Sequence, residues 1–196
     1  ARIANEATHG DVMVSVRNPC AQSPTVVAPD PLVFPRPKAD ALLVVTDFGA
    51  SETNQDNAAA FQSALDKAGK NKDGGTVYVP AGLYKFRGDI TVPTGVELRG
   101  CFDVPHHTVS AGSVLMAYHN RGKEDGPPFV SLQPESGLRG LTFWYPEQPL
   151  TEPVPYPWTV RSLGVKCWIT DVTIGNAWQA VDFATHRSDG HRISYL

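Results

Sequence analysis

What most constrains this chain is a series of short apolar segments that recur with turns between them and carry no helical period. In the second half they read "SVLMAY", "FVSL", "GLRGLTFW", "TVRSLGV", "CWITDVTI", "AVDF" and "HRISYL". Chains built from many short strands fold as sandwiches, barrels or solenoids, and an internal repeat separates the last from the others. Here "GLRGLTFWYP", "CWITDVTIGNA" and "GHRISYL" share a pattern: an aliphatic residue, a spacer, then an aliphatic–Thr/Ser–apolar step. The matching positions are Leu138, Leu141 and Phe143, then Ile169, Val172 and Ile174, then Ile193, taken in register with Val172. These intervals are close to one solenoid coil, which takes roughly 20–30 residues with loop insertions. Strand alternation puts Val172 and Ile174 inside such a coil and Asp171 and Thr173 outside. The insertion "PEQPLTEPVPYPW" then stands off one coil as a loop.

The region before these coils is organised differently. "ALLVV" reads as a buried strand closed by the turn "TDFGA". Residues 56–68 carry a helix signature, with Phe61, Ala64, Leu65 and Ala68 at i, i+3, i+4 and i+7 on one narrow face. Asn54 or Asp56 can cap its free N–H groups, and Gly69 can supply a left-handed residue after its last turn. Asp73-Gly74-Gly75 turns the chain into "TVYVP", where Val77 and Val79 share a face, and "AGLYKF", "DITV" and "GVELRG" follow as short strands. Residues 1–40 read as an extended arm. "DVMVSV" suggests one short strand, and Pro24, Pro29, Pro31, Pro35 and Pro37 exclude a helix or a central strand. The expected division is therefore an arm at 1–40, and a cap with the first coils at 41–196.

A solenoid exposes the apolar end of its first coil and needs a polar-faced cap there. The one-sided helix at 56–68 suits that role, anchored by Phe61 and Leu65. At the other end "DGHRISYL" reads as a strand beginning, with no polar capping segment after it. Natural proteins avoid such raw edges. The expectation is an apparently truncated solenoid, its remaining coils supplied by a further segment or a second chain, with a homo-oligomer as another arrangement.

The net charge of −3 comes without a basic run, which argues against a nucleic-acid partner. No stretch approaches the ~20 apolar residues that span a bilayer, so no membrane partner is expected. The start of the sequence is what a processed secreted protein shows, and the expected location is secreted, periplasmic or cell-surface. Cys20, Cys101 and Cys167 fit neither a zinc spacing nor a CxxC redox motif. They read as buried free thiols, with Cys101–Cys167 the best pair should one bridge form.

Three segments in order, "VTDFGA" at 45–50, "DNAAAFQSALDKA" at 56–68 and "GGTVYVPAGLYKF" at 74–86, resemble the start of pectate-lyase-like right-handed parallel β-helix proteins, the superfamily related to glycoside hydrolase family 28. Ala58 stands where that family usually has Thr. Later, "GVKCWITDVTIGNAWQAVDF" resembles the family's repeated coil pattern, with Asn176 at the turn after the strand. The resemblance covers about residues 43–196 and implies a mainly β, right-handed parallel β-helix with an N-terminal capping α-helix. It also implies a polysaccharide or oligosaccharide partner, and an enzyme that cleaves by glycoside hydrolysis or, second, by lyase β-elimination. A non-catalytic tailspike or adhesin is the third reading. In the family the catalytic carboxylates lie on central coils, at or beyond residue 196. The "NTD" and "GHG" motifs of polygalacturonases are absent, which counts against pectin hydrolysis of that type. Hydrolysis implies no cofactor, and elimination admits calcium.

Hydrolysis needs a carboxylic acid and a carboxylate. Elimination needs a base and a cation that stabilises the developing charge. Alternation nominates Asp182, Asp171 and Asp189 as outward carboxylates, and Glu147 on the loop. Asp189-Gly190 reads first as a turn. Aromatic rings offer flat apolar faces on which sugars stack. Trp144, Tyr145, Tyr156, Trp158 and Trp178 lie at strand ends or in the Pro-rich loop and are the expected substrate contacts, with the loop at 144–158 as one wall of a groove. Trp168 reads as packing. His106-His107 reads as a loop feature and no metal site is expected, because adjacent strand residues face opposite ways.

Overall fold

Alternating residues are buried in the strands Gly75–Val79, Ile90–Val92, Val130–Leu132 and Trp168–Thr170, and they belong to one apolar interior. The computed structural model describes residues 15–16, 26–27, 42–103, 110–187 and 189–196. The chain divides into two units, Ala1–Pro37 and Lys38–Leu196. In the first, β1 (Ser15–Val16) and β2 (Val26–Val27) pair antiparallel. The rest of the "DVMVSV" strand and the rest of the proline-rich connector lie outside the described residues, as do Cys20 and His106-His107.

The second unit is a coil of three parallel sheets. β3 (Leu42–Val44) leads through a 3-10 turn (Val45–Phe48) to α1 (Ala58–Gly69). The first coil is β4 (Gly75–Val79), β5 (Gly82–Phe86) and β6 (Ile90–Val92). The second is β7 (Val96–Gly100), β8 (Ser113–Ala117) and β9 (Val130–Leu132). The third is β10 (Gly137–Arg139), β11 (Leu141–Trp144) and β12 (Trp158–Ser162). The fourth is β13 (Trp168–Thr170), β14 (Thr173–Gly175) and β15 (Gln179–Asp182), after which β16 (Arg192–Ser194) joins the first sheet again. The first sheet runs β3-β4-β7-β10-β13-β16, the second β5-β8-β11-β14 and the third β6-β9-β12-β15.

Register is set by ladders of like residues. Leu43, Val77, Leu98, Leu138, Ile169 and Ile193 stack in successive strands of the first sheet. Ile193 therefore pairs with Ile169, not with Val172 as the sequence pattern suggested. The connection from β15 to β16 is longer than the repeat implied, and Val172 is held in the following turn, its N–H donating to the Tyr195 carbonyl at 3.1 Å. Tyr84, Leu115, Phe143 and Ile174 align in the second sheet, and Ile90, Val130, Val160 and Val181 in the third. Edge-to-face rings run through the interior: Phe61 on Phe86 at 4.8 Å, Phe86 on Phe129 at 5.1 Å, and Phe129 on Phe143 at 5.6 Å. Each such pair contributes about 0.5–1.5 kcal/mol beyond its burial.

The helix caps the first coil. Phe61, Ala64, Leu65 and Ala68 are fully buried, and the helix packs on β4, β6 and β7. It begins two residues later than its sequence signature. Asp56 sits just outside, where one carboxylate oxygen accepts the Ala58 and Arg87 N–H groups at 3.0 Å each. Gly69 is the last helical residue and not a left-handed one. It is small because a Cβ there would come within 2.7 Å of Pro93. The left-handed turn falls on Gly74, at φ 71°. Cys101 and Cys167 are both free thiols. No helix among the described residues is long and apolar enough to cross a membrane.

Candidate functional site

The Pro-rich insertion connects β11 to β12 at the corner between the second and third sheets. Its ends fold inward. Tyr145 is 2% and Tyr156 0% exposed, with their rings edge-to-face at 4.9 Å. The Tyr145 hydroxyl shares a 2.8 Å hydrogen bond with Thr159 Oγ1, and burial raises its pKa well above the usual phenol value. Neither ring can meet a sugar, which corrects the expectation that both are substrate contacts. Tyr145 continues the inward alternation of Leu141 and Phe143, and Tyr156 meets it from the far end of the insertion.

The rest of the insertion is pinned from two sides. Gln148 is buried and holds Val154 through both amide atoms, at 2.9 Å to its carbonyl and 2.8 Å from its N–H. Asn176, in the left-handed conformation at φ 60°, donates through Nδ2 to the carbonyls of Tyr145 and Gln148, both at 3.0 Å. The two clamps leave a cleft of about 280 Å³ between the insertion and the turn before β15. Gln148, Pro149, Leu150, Pro153, Asn176 and Trp178 line it. Trp178 is 41% exposed, and its indole N–H donates to Glu124 at 3.1 Å. A large ring left in water yet tied in orientation is a ready stacking platform for the C–H face of a sugar.

The other nominated residues are dispersed. Trp144 is half-buried and lies against the backbone of Gly175, where a Cβ would come within 2.8 Å of the ring. Trp158 is half-buried at the start of β12 and pairs with Gln179. Glu147 is exposed beside the cleft-lining Gln148, and its carbonyl accepts from Arg121 at 3.4 Å. Asp171 occupies the left-handed turn between β13 and β14, at φ 53°, away from that cleft. Asp182 faces outward on β15 but is covered. It pairs with Arg161 at 2.8 Å and accepts the backbone N–H groups of Ala184 and Thr185 at 3.0 and 2.9 Å. Burial opposes its charge, yet the bonds from Thr185, Ala184 and Arg161 outweigh that and hold its pKa well below the usual carboxylate range. A carboxyl held charged in this way has no proton to donate as a general acid.

One ring lies elsewhere than its buried sequence neighbours predict. Trp168 is not core packing: Cys167 and Ile169 are the buried neighbours, and Trp168 faces outward on the first sheet, half-buried. Strict alternation across "CWIT" would have found it. It lines a cavity of about 510 Å³ on that outer face.

Three stacked sheets and a helical cap define a right-handed parallel β-helix, and the chain has the fold of the pectate-lyase-like superfamily. Within that class, the family model described as rhamnogalacturonase A/epimerase, pectate lyase-like, matches residues 43–116. The A-module of a mannuronan C-5 epimerase from Azotobacter vinelandii superposes with a TM-score of 0.54 at 21% identity, covering 71% of this chain and 40% of that one. The chain thus spans about two fifths of that module's length. An Acinetobacter phage tailspike protein gives 0.46 at 15% identity, over 76% of this chain and 28% of that one. The catalytic unit of an α-1,3-glucanase from Streptomyces thermodiastaticus gives 0.38 at 22%, over 70% and 24%. No curated protein matches the sequence.

Proposed function

We propose that this chain is part of a carbohydrate-active enzyme that binds polysaccharide in the cleft beside Trp178 and cleaves it by glycoside hydrolysis. The observation that carries the reading is Trp178 itself, exposed, tethered through its N–H, and facing a wall stiffened by proline and pinned by Gln148 and Asn176. A rigid wall lowers the ordering cost of binding. The family model that matches residues 43–116 names both a rhamnogalacturonase and an epimerase, which supports a carbohydrate-active class. Of the nominated carboxylates, Glu147 directly precedes the cleft-lining Gln148 in the chain, and it is the one we assign as a candidate acid or base. Trp144 and Trp158 remain proposed flanking contacts.

Trp178→Ala should weaken binding of the preferred glycan about ten-fold, the loss of one stacking contact, while the melting temperature moves little. A screen of plant, algal and host glycans identifies that ligand. New reducing ends without an unsaturated, ultraviolet-absorbing product mean hydrolysis; both signals together mean elimination and overturn the assigned chemistry. Binding that is indifferent to Trp178→Ala would remove the cleft from the site.

A further inference from the structure

We infer that the outer face of the first sheet carries a second saccharide site, one that takes a sugar unit bearing a negatively charged substituent. The inference rests on the reading above only for the class of ligand. The site itself stands on the cavity of about 510 Å³ lined by Arg139, Lys166, Trp168, Thr170, Arg192 and Ser194, a volume in the range of small-ligand sites.

Its floor is built by register. Trp168 pairs with Gly137 on one side and Arg192 on the other. The indole lies across Gly137, where a Cβ would come within 2.4 Å of the ring. Only glycine there lets the ring lie against the preceding coil, half-buried and fixed. The next outward row, Arg139, Thr170 and Ser194, runs alongside, and the Ser194 hydroxyl donates to Thr170 Oγ1 at 3.2 Å. The result is one flat ring beside a strip of hydroxyls, which suits an amphipathic sugar face and its hydroxyl groups.

The charge is one-sided. No acidic residue lines the cavity. Arg139 is anchored through Nε on Glu97 at 2.8 Å, and Glu97 is shared with Arg99. Lys166 is anchored on Glu135 at 2.8 Å. The carboxylates therefore hold these cations in place from outside the cavity lining, and Arg192 has no ion-pair partner among the described residues. The lining cations and their ion-pair networks make four cations, Arg99, Arg139, Lys166 and Arg192, against two carboxylates, Glu97 and Glu135, while Asp189 beside Gly190 is paired with Arg187. An arginine fork matches a carboxylate or a sulfate ester geometrically. The residues lining the Trp178 cleft, by contrast, include no charged side chain.

The test is calorimetric titration of the protein with an oligogalacturonate, a sulfated galacto-oligosaccharide and a neutral cello-oligosaccharide of matched length. At least one anionic probe should bind, and the preference between the two identifies carboxylate or sulfate as the recognised group. Its affinity should fall as salt is raised, because exposed charges are screened. Arg192→Gln should weaken it about ten-fold, the loss of one charge-assisted hydrogen bond. Trp168→Ala should weaken it similarly, checked by melting temperature, and Arg192→Gln keeps the test valid should Trp168→Ala unfold. Absence of binding by both anionic probes overturns the inference, as does affinity unchanged in Arg192→Gln. If Trp178→Ala abolishes binding of every probe and Arg192→Gln alters none, the saccharide reading stands and this site falls. The reverse pattern keeps this site and removes the Trp178 cleft.

Discussion

Truncating Phe61 to Ala should cost about 3–5 kcal/mol of stability, the range for deleting a buried aromatic ring. Phe61 is the joint between cap and coil. Its ring is fully buried, 4.8 Å from Phe86 and 5.5 Å from Tyr84, and it opens the series of rings that continues through Phe129 to Phe143. Removing it leaves a cavity between a helix and a sheet whose backbones are each held by their own hydrogen bonds, so collapse is hindered. The loss is large against the roughly 5–15 kcal/mol that holds a domain folded. Urea denaturation followed by circular dichroism measures it. Leu65→Ala, one turn along the same face, should cost about 2–5 kcal/mol. A loss below about 1 kcal/mol in both would mean that the helix does not seal the coil.

Asp182→Ala should cost about 3 kcal/mol, at the low end for breaking a buried ion pair. The low end applies because the Arg161 side chain keeps 25% of its exposure while Asp182 keeps 4%. The substitution removes the acceptor shared by the guanidinium and the N–H groups of Ala184 and Thr185. The same geometry sets an acid dependence. Asp182 has a lowered pKa in the folded protein, so its contribution is fully present above the unfolded carboxylate value of about 3.9 and is lost as pH falls from there through the folded value. Stability of the unsubstituted protein should therefore drop more steeply below about pH 4 than that of Asp182→Ala. Parallel acid profiles from denaturant melts would show that Asp182 does not hold this turn.

The inward ladders were legible because they depend on alternation alone. Val77, Leu138 and Ile169 are flanked by residues of the opposite face, and any reader of a period of two finds them. The helix was legible for the parallel reason, at a period near 3.6. Trp168 was equally available, but a large apolar ring between two buried residues invites the assumption that it too is core. Tyr145 was equally available, since it continues the inward alternation of Leu141 and Phe143. Tyr156 could not be placed that way, because it lies in an insertion where no period applies.

The sequence by itself determined most of the inside of the molecule: the alternating strand positions that face the interior, where the cap lies, and that the architecture is a stack of coils. Hydrophobic burial follows local alternation, so this information is written along the strand. Only the tertiary structure decided which outward residues meet. Arg139, Trp168 and Arg192 come from three successive coils whose connections differ in length, so nothing in their spacing shows that they adjoin. The stacking of Leu98, Leu138, Ile169 and Ile193 sets that alignment. The outward residues meet because the inward ones pack, and the loop lengths between them are free to vary.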